Sequence, residues 1–223
     1  LLAVPANMDS PFSGVQVHAC RNATAPQAID IGGSLRGRVL EHEGLKYVAM
    51  SGLSAPEAGE HVDQARVILQ QIEDTLKKFG GDLFSVPRTW MWLGDILSWY
   101  DEFNVVRNDF FTERGLMGTG NYRLPASTGI GVGPLDGGAM AADVFGLVGP
   151  EGTIDYLLKG GNQNPASDYG SAFSRAAATS TPGGRTVYVS GTAAIDADGI
   201  TEHVDNASAQ IEDTVRHVRA VFG

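Results

Sequence analysis

Two segments of the chain repeat one pattern of hydrophobic and polar positions. Each begins with a β-rich run that ends in Ser-Gly, continues through a polar turn, and enters a segment with helical spacing of apolar residues. The run YVAMSGLSA at 47–55 returns as VYVSGTAAI at 187–195, and the pentapeptide QIEDT at 71–75 returns at 210–214. An internal repeat of this kind predicts two structurally related units in one chain.

The helical segment of each copy carries one apolar stripe, so each helix needs a surface to pack against. The stripe of the first helix consists of Leu69, Ile72, Leu76 and Phe79. The stripe of the second helix consists of Ile211, Val215, Val218 and Phe222.

The first copy continues with further alternating and helical patterns. A strand is predicted in RTWMWL, then a helix with Trp99, Phe103, Val106 and Phe110 on one face, and then two closing strands in LPASTGIGVG and GAMAADVFGLVG. With an earlier strand in GSLRGRVLEHEG, the order becomes strand, strand, helix, strand, helix, strand, strand. This order predicts an α+β fold in which helices cover one face of a mixed sheet.

The repeat also suggests how the chain is divided. We expect residues 1–45 to form an N-terminal arm or a reduced unit, residues 46–150 the first unit, and residues 151–223 the second. The second unit stops after its first helix, so we expect it to be incomplete at its C-terminus.

Composition narrows the function classes. The 223 residues include 16 basic and 26 acidic side chains, for a net charge of −10, which argues against general binding to nucleic acids or anionic membranes. No apolar run is long enough to span a bilayer, and the single cysteine, Cys20, excludes an internal disulfide. We therefore expect a soluble, cytoplasmic protein whose partner is a small molecule.

Two EHVD segments, at 60–63 and 202–205, place histidine and carboxylates close together. Each directly precedes or opens a predicted helix, where acidic residues in the first turn favour the helix dipole. No further histidine cluster with ligand spacing accompanies them. The sequence therefore predicts no metal site and no cofactor.

Arginines beside aromatic residues are the candidate binding groups. In the strand VPRTWMW, alternation places Arg88, Trp90 and Trp92 on one face. Arg107 and Arg175 also lie in aromatic segments, and several guanidinium groups that converge would bind a dianion in an otherwise acidic protein.

Glycines alternate along the segment STGIGVG. Gly129, Gly131 and Gly133 share one strand face, which permits close approach of either a ligand or a packed helix. The two alternatives are equally open at this point.

The second unit resembles the RidA/YjgF family, whose members carry a strand ending in Ser-Gly, a glycine turn and a helix with glutamine at this place. Five segments, RTWMWLGDI, YDEFNVVRNDFF, LPASTGIG, NQNP and YGSAFSRA, are similar to the chorismatase branch in order and context. The resemblance implies tandem chorismate-mutase-like α+β units. It also implies either a homotrimer or a monomer with pseudo-threefold symmetry.

The resemblance further implies hydrolysis of the enolpyruvyl ether of chorismate, or of a related small carboxylate, with release of pyruvate. The proton donor of chorismatases is a glutamate in the last strand, which would lie beyond Gly223, so no catalytic residue is assigned. Two alternatives remain: a non-catalytic small-acid binding protein, and a RidA-type enamine or imine deaminase. Deaminases need an arginine in the strand that matches STGIGVG, where this chain has small residues.

The binding residues follow from the same resemblance. Arg107 and Arg175 are expected to clamp the substrate carboxylates, and Tyr169 to donate a hydrogen bond. The remaining expected positions are Arg88 and Trp90 in the pocket wall, Thr128, Gly129 and Gly131 in its floor, and Trp92 in the core.

Overall fold

A computed structural model describes residues 24–118, 122–160 and 163–222. Cys20 and residues 1–23 of the predicted N-terminal arm lie outside the described residues.

The first unit is built on a six-stranded mixed sheet. Its strands are β1 (Gln27–Ile31), β2 (Ser34–His42), β3 (Leu45–Ser54), β4 (Arg88–Leu93), β5 (Ala126–Ile130) and β6 (Met140–Val148). They are ordered β1-β2-β3-β6-β4-β5 across the sheet, and β5 runs parallel to β4 while the other neighbours are antiparallel. Strands β1 and β2, which come from the predicted arm, extend this sheet beyond β3.

Two helices, α1 (His61–Lys78) and α2 (Ile96–Glu113), cover one face of this sheet. The apolar stripe of α1 is buried as predicted, because Leu69, Ile72 and Leu76 pack into the same core as Met91 and Leu93 of β4. Glycine ends α1, where Gly80 has a φ of +84° and the Gly81 N–H donates to the Leu76 carbonyl. The arrangement confirms the predicted α+β class with helices on one side of a mixed sheet.

The second unit forms a three-stranded antiparallel sheet followed by one helix. Its elements are β7 (Ile154–Leu157), β8 (Ala176–Thr181), β9 (Gly184–Val189) and α3 (Ala207–Val221).

Backbone hydrogen bonds attach the second unit to the edge strand β5. The Ser174 N–H donates to the Pro125 carbonyl at 3.1 Å, and the Gly191 N–H donates to the Ser127 carbonyl at 3.0 Å. The two units are therefore joined along the outer side of β5.

The predicted order of strands and helices in the first unit is confirmed, whereas β1 and β7 were not anticipated from the sequence. The predicted stripe of α3 has no such partner among the described residues, because Ile211, Val215 and Phe222 are exposed. None of the helices in the described part of the chain has the length and apolar character needed to cross a membrane. The predicted trimeric or pseudo-threefold assembly stays a prediction.

Candidate functional site

Five side chains, Tyr100, Arg107, Tyr169, Phe173 and Arg175, form what we call the helix-side cluster. The guanidinium carbons of Arg107 and Arg175 lie 5.8 and 5.6 Å from the centroid of the Phe173 ring. Both arginines are only 3% exposed. The structure therefore brings together the two arginines that sequence reasoning paired.

Arg107 is positioned by α2. One of its Nη atoms donates to Asn104 Oδ1 at 2.6 Å, and its guanidinium lies over the Phe103 ring at 5.0 Å. Burial lowers the pKa of Arg107, and interactions with Tyr100 partly oppose that shift. Its Nε is buried without a hydrogen-bond partner among the described residues.

Arg175 lies directly before β8, and its backbone is fixed by the sheet. Its Nε and Nη2 both donate to the Asn164 carbonyl, at 3.1 and 2.6 Å. The guanidinium carbon also lies 5.4 Å from the Tyr169 ring centroid. A guanidinium has five N–H groups, so this single carbonyl leaves donors for a further acceptor.

Tyr169 comes from a short 3-10 turn, Ala166–Tyr169, which ends at Gly170 with a φ of +88°. Burial raises the pKa of the Tyr169 phenol, although Arg175 and Arg107 pull it in the opposite direction. The phenol is therefore a neutral O–H donor around neutral pH.

The cationic groups of the predicted site have no counterion in the described part of the chain. No carboxylate among those residues forms an ion pair with Arg88, Arg107 or Arg175. A buried charge without a partner is costly, and an anionic ligand between Arg107 and Arg175 would remove that cost.

Arg88 lies on the other face of the sheet. Its Nη2 donates to Thr128 Oγ1 at 2.5 Å, its Nη1 donates to the Val189 carbonyl at 3.1 Å, and its guanidinium lies 4.5 Å from the Trp90 ring. Burial lowers its pKa to about 10. Arg88 therefore links β4 and β5 to β9.

The residues expected to line one pocket therefore lie on two opposite faces of the sheet. Arg88, Trp90 and Thr128 point away from the helices, whereas Arg107 comes from α2 on the opposite face. The separation follows from strand geometry, since alternate residues of β4 and β5 face opposite sides of the sheet.

Gly129 of β5 and Gly131, just after it, face α2. A Cβ on Gly129 would meet the Tyr100 ring at 3.5 Å, and a Cβ on Gly131 would meet the Ile96 side chain at 2.9 Å. Close packing of α2 explains glycine at position 131, whereas the contact at position 129 is an ordinary one, and the expected role of both residues in a pocket floor stays a prediction.

Trp92 is also placed differently from the expectation. It is half-buried and lies outside the apolar core, because its Nε1 donates to Asp143 Oδ2 at 2.9 Å on the face away from the helices. An indole N–H requires an acceptor, and the carboxylate on β6 supplies it.

Asp143 is a residue that sequence reasoning missed. Its carboxylate also accepts from Ser51 Oγ at 2.8 Å and from the Gly52 N–H at 2.7 Å, so it holds the irregular part of β3 where the register with β6 shifts. A lone acid inside the apolar strand MAADVFGLV was the available signal. Tyr100 was likewise missed, although it lies one helical turn before Asn104.

The space around the helix-side cluster is small. A void of about 10 Å³ lies beside Arg175, Gln163 and Thr192, while a cleft of about 700 Å³ lies elsewhere, against Phe84 and Arg123. In that cleft, Arg123 is already ion-paired with a glutamate. The Phe173 ring lies within 5.8 Å of both guanidinium carbons, so it takes up part of the space beside the two arginines.

No protein-family model and no curated protein matches the sequence. Among solved structures, a chorismatase matches with a TM-score of 0.63 and 22% identity, over 88% of this chain and 59% of that chain. The Rid-family protein YyfA from Yersinia pestis matches with a TM-score of 0.41 and 20% identity, over 56% of this chain and 100% of its own. Rv2704 from Mycobacterium tuberculosis, a member of the YjgF/YER057c/UK114 family, matches with a TM-score of 0.38 and 20% identity, over 56% of this chain and 98% of its own.

The first of these likenesses extends through both units and agrees with the α+β architecture described above. The chain therefore has the fold of chorismatase along most of its length, and it spans 59% of that protein.

Proposed function

We propose that this chain is a chorismatase-like hydrolase that holds a small dicarboxylate at the helix-side cluster and cleaves its enolpyruvyl ether to release pyruvate. The observation that carries the proposal is the pair of buried guanidinium groups, Arg107 and Arg175, both near the Phe173 ring and without a carboxylate partner among the described residues. The chorismatase-like fold supports the choice of reaction.

The cluster suits a flat diacid in charge and in shape. Two separate guanidinium groups bind two carboxylates and fix their separation, which orients the molecule as well as attracting it. The Phe173 ring beside the two arginines moves aside for the ligand, and Tyr169 donates a hydrogen bond to a ligand oxygen. The net charge of −10 makes such a local cationic pocket necessary, because the rest of the protein repels anions.

The reaction itself proceeds by proton transfer. Protonation of the terminal methylene of the enolpyruvyl group gives an oxocarbenium ion, water adds to it, and the hemiketal collapses to pyruvate and the ring alcohol. The arginines hold the substrate in the geometry for these steps. The acid that supplies the proton must be a carboxyl group kept protonated by burial, and no carboxylate among the described residues forms an ion pair with Arg107 or Arg175.

The test is incubation of the full-length protein with chorismate, followed by an assay for pyruvate. Variants Arg107→Met and Arg175→Met should each lower kcat/KM by about 30-fold or more, since each removes one partner of a buried charge pair. Arg185→Met is the matched control, because Arg185 is exposed and pairs with Asp155. Pyruvate at the level of a blank, from protein shown to be folded by circular dichroism, would contradict hydrolysis.

A second candidate function, binding of a small acid without turnover, is favoured by the lack of a carboxylic acid at the cluster among the described residues. Chorismate would then raise the melting temperature of the parent chain but not that of Arg107→Met, with no pyruvate formed. The deaminase alternative is not proposed, because β5 carries no arginine.

A further inference from the structure

The second EHVD segment is placed differently from the first. In the first copy, Glu60 is the residue before α1 and Asp63 lies in its first turn, as the sequence predicts. In the second copy, α3 begins only at Ala207, and Asn206 caps it by accepting from a backbone N–H. The prediction of first-turn acids is therefore wrong for residues 202–205, which leaves their side chains to be explained.

Glu202 and His203 instead face Asp213 of α3. The candidate ligand atoms of these three residues all lie within 4.8 Å of one another. His217 follows one helical turn after Asp213, and its Nε2 lies 3.4 Å from Asp213 Oδ2. Glu202, His203 and Asp213 thus converge at the middle of the last helix, with the His217 imidazole beside Asp213.

Two atoms in this group are buried and without a hydrogen-bond partner among the described residues, Asp213 Oδ2 and His217 Nε2. The Asp213 side chain is 1% exposed, and its other oxygen pairs with Arg216. His217 makes a hydrogen bond to the backbone of Ile195. An outer partner of this kind orients the imidazole of many metal-bound histidines.

We propose that Glu202, His203 and Asp213, with the adjacent His217 as fourth ligand, bind one first-row transition metal ion, of which Zn²⁺ is the best representative. A set of two nitrogens and two oxygens suits zinc, whereas Mg²⁺ and Ca²⁺ prefer oxygen ligands alone. Zinc–ligand bonds of about 2.0–2.1 Å require the ligand atoms to lie within about 4 Å of each other. The three clustered ligand atoms need only a small closure to meet this, and His217 Nε2 lies 3.4 Å from Asp213 Oδ2. The ion would fasten the segment before α3 to the helix.

The experiment measures Zn²⁺ binding to the chelator-treated chain by calorimetry at neutral pH, and thermal unfolding with and without the ion. His203→Ala is the main variant because His203 is exposed, so the fold should tolerate its loss. We expect one Zn²⁺ per chain, a higher melting temperature with Zn²⁺ but not with Mg²⁺, and an affinity at least about 10-fold lower in His203→Ala.

The matched control is His61→Ala, which alters the same tetrapeptide in the first repeat. His61 lies against the Trp99 ring, so this variant can lower stability, but it should leave the Zn²⁺ affinity unchanged. The proposal is overturned if the folded parent chain binds no Zn²⁺, or if His203→Ala and His61→Ala bind it equally well. The first result would mean that Asp213 and His217 form only an ion pair with each other.

Discussion

Helices α1 and α3 contain the same QIEDT pentapeptide, yet they turn different sides of it toward the protein. Ile72 in α1 is 2% exposed, whereas Ile211, its counterpart in α3, is 64% exposed. The acid that becomes buried also changes, from Glu73 in the first copy to Asp213 in the second. An apolar stripe therefore indicates which face of a helix can be buried. Whether that face is buried depends on the elements that pack beside the helix.

The neighbours of the two helices explain the difference. Helix α1 packs on β3, β6 and α2, which form a continuous apolar surface. Helix α3 lies against Gly160, where a Cβ would come within 2.7 Å of the Val221 side chain. The side of α3 that touches the protein carries His217 and Val221 rather than Ile211.

The Ser-Gly motifs of the two repeats also differ in the residues to which they hydrogen-bond. Ser51 donates to the Asp143 carboxylate of its own unit. Ser190 is buried, donates to the Ser174 carbonyl and accepts from the Ser127 N–H of the first unit. The first Ser-Gly motif thus forms a hydrogen bond within its own unit, whereas the second forms hydrogen bonds that join the two units.

We expect the largest difference in the free energy of unfolding between variants of the two equivalent isoleucines, Ile72 and Ile211. Ile72→Ala should lower the free energy of unfolding by about 2–5 kcal/mol, because it leaves a cavity in the core. Ile211→Ala should change it by less than about 0.5 kcal/mol. Chemical denaturation of both variants measures this, and equal losses would show that the α3 stripe is covered in solution.

A smaller change in unfolding free energy is expected from the buried acid of α1, Glu73. Glu73 accepts from Lys77 Nζ at 2.8 Å and from Arg114 Nε at 2.7 Å. Burial alone would raise the pKa of Glu73, but these two cations outweigh it and lower the pKa below its ordinary value. Glu73→Gln should therefore cost about 1–3 kcal/mol of unfolding free energy at neutral pH.

The sign of the pH dependence follows from that lowered pKa. The stabilisation by Glu73 is present above the ordinary pKa of glutamate and is lost as the pH falls through the lowered pKa of the folded state. The difference in unfolding free energy between the parent chain and Glu73→Gln should therefore shrink as the pH falls. Urea denaturation at several pH values measures it. Glu212→Gln, in the exposed equivalent position, is the control, and an equal cost in both variants would contradict the assignment.

The smallest expected change in the free energy of unfolding comes from the serines of the two Ser-Gly motifs. Ser190→Ala should cost about 1–2 kcal/mol, because it leaves the buried Ser127 N–H without its acceptor. Ser51→Ala should cost less than about 0.5 kcal/mol, since Ser51 is exposed. Thermal unfolding compares them, and a greater loss in Ser51→Ala would reverse the interpretation.

Much of the fold was predictable because the repeat and the periodic stripes are local signals. Strand β7 escaped prediction because its four residues, IDYL, are too few for a clear alternation. The pairing of Arg107 with Arg175 was predictable from the resemblance to chorismatases. The separation of Arg88 from Arg107 was not, because it depends on which face of β4 receives α2, and that is decided by packing across the whole sheet.

The backbone joint along β5 has a consequence for handling the protein. Strands at the edge of a sheet offer unpaired N–H and C=O groups that recruit strands from other molecules. Here the segments around Ser174 and Gly191 occupy part of that edge. A shortened chain that kept only the first unit would uncover it, so such a fragment should aggregate more readily than the chain that carries both units.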